Sequence, residues 1–172
     1  MYLDADATRE RLRALSELET RLSFRVSRLS KLLDNHATRE LAGKPLNLTG
    51  YRILMVLKIF RETSAAELSR LMVIDRAQVS RSVAELTGAG FLVERSDPTN
   101  KRRKLLRLSD KGKRELGSVR SKFEARQSLF EELLTEREME GLYAAIDKLS
   151  RHLAREMDHP EALPTTGDGK EQ

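Results

Sequence analysis

The sequence predicts a mainly α-helical protein with one small β-hairpin. Three observations support this fold class. Apolar residues recur at helical spacing in both terminal parts of the chain, two short helices follow each other in the middle, and two short strands flank a turn. Of the 172 residues, 39% are hydrophobic and 34% are charged, which suits elongated helices with wide solvated faces.

The N-terminal segment 8–41 has the pattern of one long amphipathic helix. Its apolar residues recur at intervals of three and four: Leu15, Leu18, Leu22, Val26, Leu29 and Leu33. A helix of this kind is marginal in water, so it must bury its apolar stripe against another surface.

The middle of the chain opens with a short apolar helix, and Thr49 is its predicted N-cap. Apolar residues lie nearly all round this helix, which predicts central burial: Ile53, Leu54, Val56, Leu57, Ile59 and Phe60. Ser64 and Glu67 then form a capping box, in which each side chain accepts a hydrogen bond from the backbone N–H of the other residue. This box predicts the start of a second short helix.

A third short helix follows after a brief turn at 73–74. It starts with a capping box over 75–78 and ends at the glycines of 88–90. Its core stripe consists of Val79, Val83 and Leu86. Two short helices joined by a tight turn are typical of a helix-turn-helix.

Two short strands come next, over 91–96 and 104–108, and the segment 97–100 between them has turn chemistry. A β-hairpin that directly follows a helix-turn-helix is the wing of a winged helix. The sequence therefore predicts a winged helix-turn-helix domain over 46–114.

Two more amphipathic helices are predicted after the wing, with Ser109 and Thr135 as their N-caps. The second has apolar residues at intervals of three and four: Met139, Leu142, Ile146, Leu149, Leu153 and Met157. We expect the segments 8–41 and 115–158 to be the dimerisation helices of a homodimer; the alternative is that they fold back onto their own winged helix. The tail 159–172 has little to bury and is expected to be disordered.

Positive charge is concentrated in the middle of the chain. The net charge is +5, but residues 49–114 carry 15 Lys and Arg against 7 Asp and Glu, whereas the rest of the chain is slightly acidic. A basic module between acidic flanks indicates a polyanionic partner, and an ordinary solvated surface is the other interpretation.

The third short helix has a small, polar and positively charged outer face. With its core stripe taken as inward, the outward residues are Ala77, Arg81 and Ala84, and the flanking residues are Gln78, Ser80 and Glu85. Arg81 can donate two hydrogen bonds to the O6 and N7 atoms of guanine, and Gln78 can form two hydrogen bonds with adenine. Ala77 can make an apolar contact with the methyl group of thymine. Arg76 and Ser80 are better placed for phosphates near the start of the helix.

The tip of the hairpin gathers four cations in the run 101–104, and three of them are predicted to bind DNA: Lys101, Arg102 and Arg103. So much like charge on a tight loop costs stability unless anions neutralise it. A loop tip is thin enough to enter a minor groove, where narrow A·T stretches attract arginine. We expect Arg102 and Arg103 to be the residues that insert.

The stretches 47–54, 68–94 and 95–112 resemble the MarR family of bacterial winged-helix transcription regulators. The most specific stretch is the last, in which strand, wing and strand lead into Leu108-Ser-Asp-Lys-Gly112. The terminal helices match by layout only. The family's wing carries Asp-x-Arg, in which the acid braces the minor-groove arginine; here Asn100 stands at the acid position and Arg102 is the arginine.

The resemblance implies a homodimeric transcription regulator, of the repressor kind, that binds a palindromic site in double-stranded DNA. Each recognition helix would lie in a major groove and each wing in a flanking minor groove, with half-sites about 10 bp apart. Family members are often released from DNA by small aromatic or phenolic effectors bound between the dimer helices and the winged helix. In this sequence Tyr51, Arg52 and Arg25 would add polarity to such a cavity.

Several other functions find no support in the sequence. The chain has no Cys, which excludes disulfides and thiolate chemistry and fits a cytoplasmic location. It has no apolar stretch of membrane-spanning length and no nucleotide-binding or catalytic motif, so we expect no membrane partner, no enzyme and no cofactor. His152, Glu156 and His159 share one helix face but lack further ligands, so no metal site is predicted.

The main alternative function is a winged helix that serves as a protein-interaction or scaffold module without specific DNA binding. Salt dependence distinguishes the two functions. Binding to DNA releases counterions from phosphates, so the affinity for DNA falls steeply as salt rises, whereas a scaffold module would associate with DNA weakly and without this dependence.

Overall fold

The computed structural model describes residues 5–100 and 102–157. These residues form seven helices and one two-stranded antiparallel sheet, which confirms the predicted fold class. The elements in chain order are α1 (Ala5–Thr20), α2 (Leu22–Glu40), α3 (Leu48–Phe60), α4 (Ala65–Met72), α5 (Arg76–Gly88), β1 (Leu92–Ser96), β2 (Lys104–Leu108), α6 (Asp110–Leu133) and α7 (Glu136–Glu156). The chain divides into two compact units, one ending at Lys44 and the other beginning at Pro45.

The first unit contains α1 and α2, where the sequence predicted one continuous helix. The backbone of Arg21 is extended, with φ −79° and ψ 115°, and separates the two helices. The hydroxyl of Thr20 donates a hydrogen bond of 2.7 Å to the carbonyl oxygen of Glu17, and such local bonds compete with the helical ladder. The prediction of a single helix is therefore wrong at this point, and the apolar stripe is divided between two shorter helices.

The second unit begins with α3, whose N-cap is Asn47 rather than the predicted Thr49. The side chain of Asn47 accepts a hydrogen bond of 2.8 Å from the backbone N–H of Gly50. Asn is at least as good an N-cap as Thr, so its amide oxygen closes the first turn two residues before the predicted start.

The core of the second unit forms where α3, α4, α5, α6 and the sheet meet. Its most completely buried side chains are Ile53, Leu54, Leu57, Leu68, Val79, Phe91, Leu106 and Val119. At the C-terminal end of α3, however, Ile59 and Phe60 remain largely exposed. The predicted all-round burial of this helix is therefore wrong at that end.

Helices α4 and α5 form the predicted helix-turn-helix. Ser64 and Glu67 complete the capping box of α4. Asp75 caps α5 by accepting hydrogen bonds from the backbone N–H groups of Ala77 (2.9 Å) and Gln78 (3.1 Å). The predicted second box is half formed, because the Gln78 side chain contacts another part of the unit instead of the cap.

Strands β1 and β2 lie within one residue of their predicted bounds. They pair in register from Leu92 opposite Leu108 to Ser96 opposite Lys104. Thr63, just before α4, forms a bridge with Leu106 of β2. This bridge joins the hairpin to the helix-turn-helix.

The start of α6 packs closely against the base of the hairpin. Ser109 caps the helix by accepting a hydrogen bond of 2.9 Å from the backbone N–H of Gly112, as predicted, and its own N–H donates to the carbonyl oxygen of Phe91. A Cβ atom added at Gly112 would lie only 2.2 Å from that same oxygen. Gly112 is thus required by the close approach of two backbones. Thr135 forms the predicted capping box of α7.

Both units expose rows of large apolar side chains. In α1 and α2 these are Leu12, Leu15, Leu18, Leu22, Val26, Leu29 and Leu32. In α7 they are Leu142, Tyr143, Ile146, Leu149 and Leu153. Among the described helices, none combines the length and the apolar character that a membrane crossing requires. The tail 159–172, predicted to be disordered, lies outside the described residues.

Candidate nucleic-acid interface

Helix α5 turns a small and polar face to solvent. Val79, Val83 and Leu86 are buried, as the stripe predicted. The outward positions are exposed and include every predicted recognition residue of this helix: Arg76, Ala77, Gln78, Ser80 and Arg81. Because Ala77 and Ala84 are small, another surface can approach the helix axis closely beside Arg81.

The first turn of α3 lies beside this face. The side-chain amide nitrogen (Nε2) of Gln78 is 3.5 Å from the hydroxyl oxygen of Thr49, which is long for a hydrogen bond. Thr49 therefore extends the polar surface beyond α5. Sequence reasoning did not place it there, because the two residues are 29 positions apart and no local pattern links them.

The turn of the wing presents Arg102 to solvent. The turn is closed by a hydrogen bond of 2.9 Å from the backbone N–H of Asp97 to the carbonyl oxygen of Arg103. The side chain of Asn100 accepts a hydrogen bond of 3.1 Å from the backbone N–H of Arg102, so Asn100 stabilises the turn rather than bracing the guanidinium. Lys101, the third cation predicted to bind DNA, lies outside the described residues.

Arg103 has different surroundings from its neighbour. Its Nη2 atom donates a hydrogen bond of 2.6 Å to Oε1 of Glu67, and its Nε atom is 3.6 Å from Oδ2 of Asp97. The prediction treated Arg102 and Arg103 alike, as cations free to enter a groove. The structure instead engages Arg103 with two carboxylates of its own chain. Arg102, in contrast, forms no ion pair with any described residue.

Three other cations of the described part of the wing also have internal partners. Arg95 donates two hydrogen bonds to Glu62, of 2.6 and 2.5 Å, and Arg107 lies 3.9 Å from the same carboxylate. The Nζ atom of Lys104 donates to Glu94 at 2.7 Å. The anions that such a concentration of cations needs are thus supplied largely by the protein itself.

The carboxylate of Glu67 is kept ionised by its hydrogen bonds. Partial burial alone raises the pKa of this carboxyl. Hydrogen bonds from the Ser64 backbone, the Arg103 side chain and the Thr63 hydroxyl outweigh that effect and lower the pKa to about 2. Glu67 therefore carries its charge at neutral pH.

A cavity of about 1090 Å³ opens in the second unit between α3, the sheet and α6. Six cations line it: Lys58, Arg61, Arg107, Lys113, Arg120 and Arg126. The acids in the lining are Asp110 and Glu124, which pair with Lys113 and Arg120. Arg107 also has an acidic partner, Glu62, outside the lining, and Lys58, Arg61 and Arg126 give the cavity a positive character.

One wall of this cavity is aromatic. The rings of Tyr51 and Phe123 stack with centroids 4.0 Å apart and an interplanar angle of 14°. The guanidinium of Arg126 lies 4.9 Å from the centre of the Phe123 ring, and its buried Nη1 atom has no hydrogen-bond partner among the described residues. Burial raises the pKa of the Tyr51 hydroxyl, and the nearby charge of Arg126 opposes this shift.

Three residues were predicted to add polarity to a ligand cavity, and the structure places them differently. Tyr51 lines the cavity, whereas Arg52 does not, and Arg25 belongs to the first unit. Phe123 and Arg126 were missed because they lie far along the sequence on α6, where they read as an ordinary amphipathic pattern.

The structure describes two of the three residues that were considered as metal ligands in the sequence: His152, Glu156 and His159. His152 and Glu156 lie on α7, and His159 falls outside the described part of the chain. Within that part, no group of three or more His, Asp or Glu side chains is arranged to hold a metal ion.

A helix-turn-helix whose second helix is exposed, with a β-hairpin beside it, defines a winged helix-turn-helix protein. Residues 45–103 match the family model of the MarR family. The matched residues cover most of the winged helix-turn-helix, in agreement with the resemblance noted in the sequence. No curated protein matches the sequence.

Several solved structures have the same fold. A mutant of MarR from Escherichia coli, complexed with operator DNA, has a TM-score of 0.66 and 18% identity and covers 74% of this chain and 92% of its own. PcaV from Streptomyces coelicolor, in complex with its natural ligand, has a TM-score of 0.67 and 21% identity, and the match covers 77% of this chain and 94% of PcaV. CouR from Rhodococcus jostii RHA1, bound to p-coumaroyl-CoA, has a TM-score of 0.66 and 20% identity, and the match covers 88% of this chain and 98% of CouR. At these identities the likeness establishes the fold.

Proposed function

We propose that this protein is a homodimeric, sequence-specific DNA-binding transcription regulator, of the repressor kind, which a small-molecule effector releases from a palindromic promoter site. The observation that carries the proposal is the exposed face of α5 together with an exposed wing arginine, Arg102, that forms no ion pair among the described residues. Both lie in the stretch that matches the MarR family model. The E. coli MarR mutant, which is similar in fold, was solved with operator DNA, and this supports the same class of partner.

In this proposal α5 is the recognition helix and lies in the major groove. Arg81 would donate two hydrogen bonds to guanine, Gln78 would pair with adenine, and Ala77 would contact a thymine methyl group. Arg76 and Ser80, near the start of the helix, would bind phosphates and set the register of the helix on the duplex. The hydroxyl of Thr49 lies beside Gln78 and extends the same polar surface.

The wing would enter the flanking minor groove through Arg102. Its guanidinium is exposed and engaged by no acid of the described chain, so binding a narrow groove breaks no internal ion pair. Arg103 supports the wing from inside, and Lys101 remains a predicted DNA contact. The DNA-binding domain of the proposal is 46–114.

The exposed apolar rows support a homodimer. Long apolar rows rarely stay open to water, and a twofold dimer covers the same surface of both copies. In this proposal the segments 8–41 and 115–158 are the dimerisation segments. If these rows instead fold onto their own winged helix, the protein is a monomer, and sedimentation at micromolar concentration distinguishes the two arrangements.

The cavity beside α6 suits an anionic aromatic or phenolic effector. Tyr51 and Phe123 offer an aromatic wall, and the buried Nη1 atom of Arg126 lacks the partner that a carboxylate or phenolate oxygen would supply. PcaV with its natural ligand and CouR with p-coumaroyl-CoA show that ligands bind proteins of this fold. An effector that fits only one spacing of the two recognition helices would shift the population away from the DNA-binding form.

The decisive test is a titration against duplexes from upstream of the protein's own gene, with inverted half-sites about 10 bp apart, at several salt concentrations. If the dimer neutralises about 8 phosphates, the logarithm of the affinity falls with the logarithm of salt with a slope of about −7. Release from the duplex by an aromatic carboxylate tests the effector. Weak association without salt dependence would contradict the proposal and favour the protein-interaction module.

A further inference from the structure

The neighbouring residues Arg102 and Arg103 occupy different surroundings in the wing. Arg102 faces solvent, whereas Arg103 bonds to Glu67 at 2.6 Å and lies 3.6 Å from Asp97. Glu67 belongs to the first turn of α4, 36 positions before Arg103. The contact between Glu67 and Arg103 therefore ties the wing to the helix-turn-helix.

The other oxygen of Glu67 is held by the start of α4. Its Oε2 atom accepts hydrogen bonds from the backbone N–H of Ser64 (2.8 Å), the hydroxyl of Ser64 (2.9 Å) and the hydroxyl of Thr63 (2.8 Å). The backbone of Thr63 in turn bonds in both directions to Leu106 of β2. The carboxylate is thus a fixed point, since it cannot turn away from Arg103 without breaking the capping box.

Holding Arg103 also holds the backbone that carries Arg102. The carbonyl oxygen of Arg103 accepts the N–H of Asp97 at 2.9 Å, and its own N–H donates to the carbonyl oxygen of Asn100 at 2.8 Å. A two-stranded hairpin is only marginally stable by itself, so the position of its tip depends on contacts with the rest of the domain.

We propose that Glu67 is a positioning residue, which holds the wing through Arg103 so that Arg102 meets the minor groove while α5 lies in the major groove. This inference rests on the proposed function, because it concerns how the wing meets DNA. Glu67 does not touch DNA itself: both of its oxygens bond to its own chain, and a free carboxylate would repel phosphates.

Glu67→Gln is the test variant, and Glu138→Gln is its matched control. Gln at this helical position still completes a capping box, so α4 is retained while the charge that holds Arg103 is lost. Glu138 has the same role in the capping box of α7, where it accepts from the Thr135 N–H (2.8 Å) and hydroxyl (2.7 Å). No arginine of the described chain bonds to it.

Hydrogen–deuterium exchange of the free protein tests the anchor without DNA. We expect exchange at the backbone amides of 104–106 to be about tenfold faster in Glu67→Gln than in the wild type or in Glu138→Gln, because the wing opens more often without its charged contact. Equal exchange in the three proteins would show that Glu67 does not hold the wing.

A double-mutant cycle on the palindromic duplex tests positioning against a general loss of structure. Glu67→Gln should weaken binding about tenfold in the wild-type background and less than about twofold in the Arg102→Ala background, where there is no arginine left to place. Glu138→Gln keeps a capping residue, so sedimentation should show an intact dimer and binding should change in neither background. Equal losses in both backgrounds, or no loss in either, overturn the positioning role.

The failure of the proposed function has a separate signature. In that case the wild-type protein binds no duplex, and the positioning role in DNA binding falls with it. The exchange measurement on the free protein still decides whether Glu67 anchors the wing.

Discussion

The face of α5 and the wing are both basic, yet they differ in how their side chains are held. On α5 the Arg81 side chain is exposed and has no ion pair among the described residues. In the wing, Arg95 is bound by Glu62 and Arg103 by Glu67. The number of cations in a sequence therefore overstates the charge that a partner can use, because a paired cation must first leave its internal acid.

The same difference separates two kinds of mutational effect. Removing an exposed side chain of α5 takes away a proposed DNA contact and leaves the packing of the domain unchanged. Removing a paired arginine of the wing alters the position of the hairpin as well. Binding and stability should therefore change independently on α5 and together in the wing.

The largest expected effect is on binding, from Arg81→Ala. Loss of two hydrogen bonds to guanine should cost about 1–3 kcal/mol of binding free energy and relax the preference for one base pair in each half-site. The urea midpoint should stay unchanged, because the side chain is exposed. Gel shifts with the cognate duplex and with single-base variants measure both effects.

The matched control for this prediction is Lys148→Ala, which removes an exposed cation of α7. Because Lys148 lies in a proposed dimerisation segment, sedimentation must show that the variant is still a dimer, and its affinity should then be unchanged. If Arg81→Ala weakens binding equally on every duplex, Arg81 contacts a phosphate and not a base. The proposal that α5 recognises the DNA sequence would then lack its main base-contacting residue.

A smaller effect, on stability, is expected from a substitution at the N-cap of α5. Asp75→Ala frees the backbone N–H groups of Ala77 and Gln78, which should lower the free energy of unfolding by about 1 kcal/mol. Urea denaturation followed by circular dichroism measures this loss. Asp75→Asn keeps an N-cap and should lose much less; an unchanged midpoint in both variants would contradict the role of Asp75.

The last expected effect is a pH dependence of stability that comes from Glu67, the acid of α4 that holds the wing. The pKa of Glu67 in the folded protein is about 2, below its ordinary value of 4.5. Its ionised form therefore stabilises the fold fully above about pH 4.5, and this contribution is lost as the pH falls towards 2. The urea midpoint should fall further over this window in the wild type than in Glu67→Gln. Parallel curves for the two proteins would show that the carboxylate adds nothing to stability.

Most of the fold was predictable because its signals are local. The capping boxes at Ser64 and Thr135 and the buried stripe of α5 depend on residues within one or two helical turns. Prediction failed where two local preferences compete. Asn47 is the N-cap of α3 instead of Thr49, and the extended backbone of Arg21 separates α1 from α2 although the apolar spacing continues.

The candidate site was predictable only in part, for the same reason. The exposed residues of α5 follow from helical periodicity alone. The pairing of Arg103 with Glu67 joins residues 36 positions apart, and the lining of the cavity combines α3, the sheet and α6. Neither feature leaves a pattern in the sequence, because each depends on which elements the tertiary fold brings together.

The close packing of Gly112 on the base of the hairpin limits how the chain can vary. Even the single methyl group of alanine at this position would meet the carbonyl oxygen of Phe91 and push α6 away from the sheet. The base of the wing and the start of the C-terminal helices would then be displaced together. We therefore regard Gly112 as the position where one substitution is best suited to produce a temperature-sensitive allele.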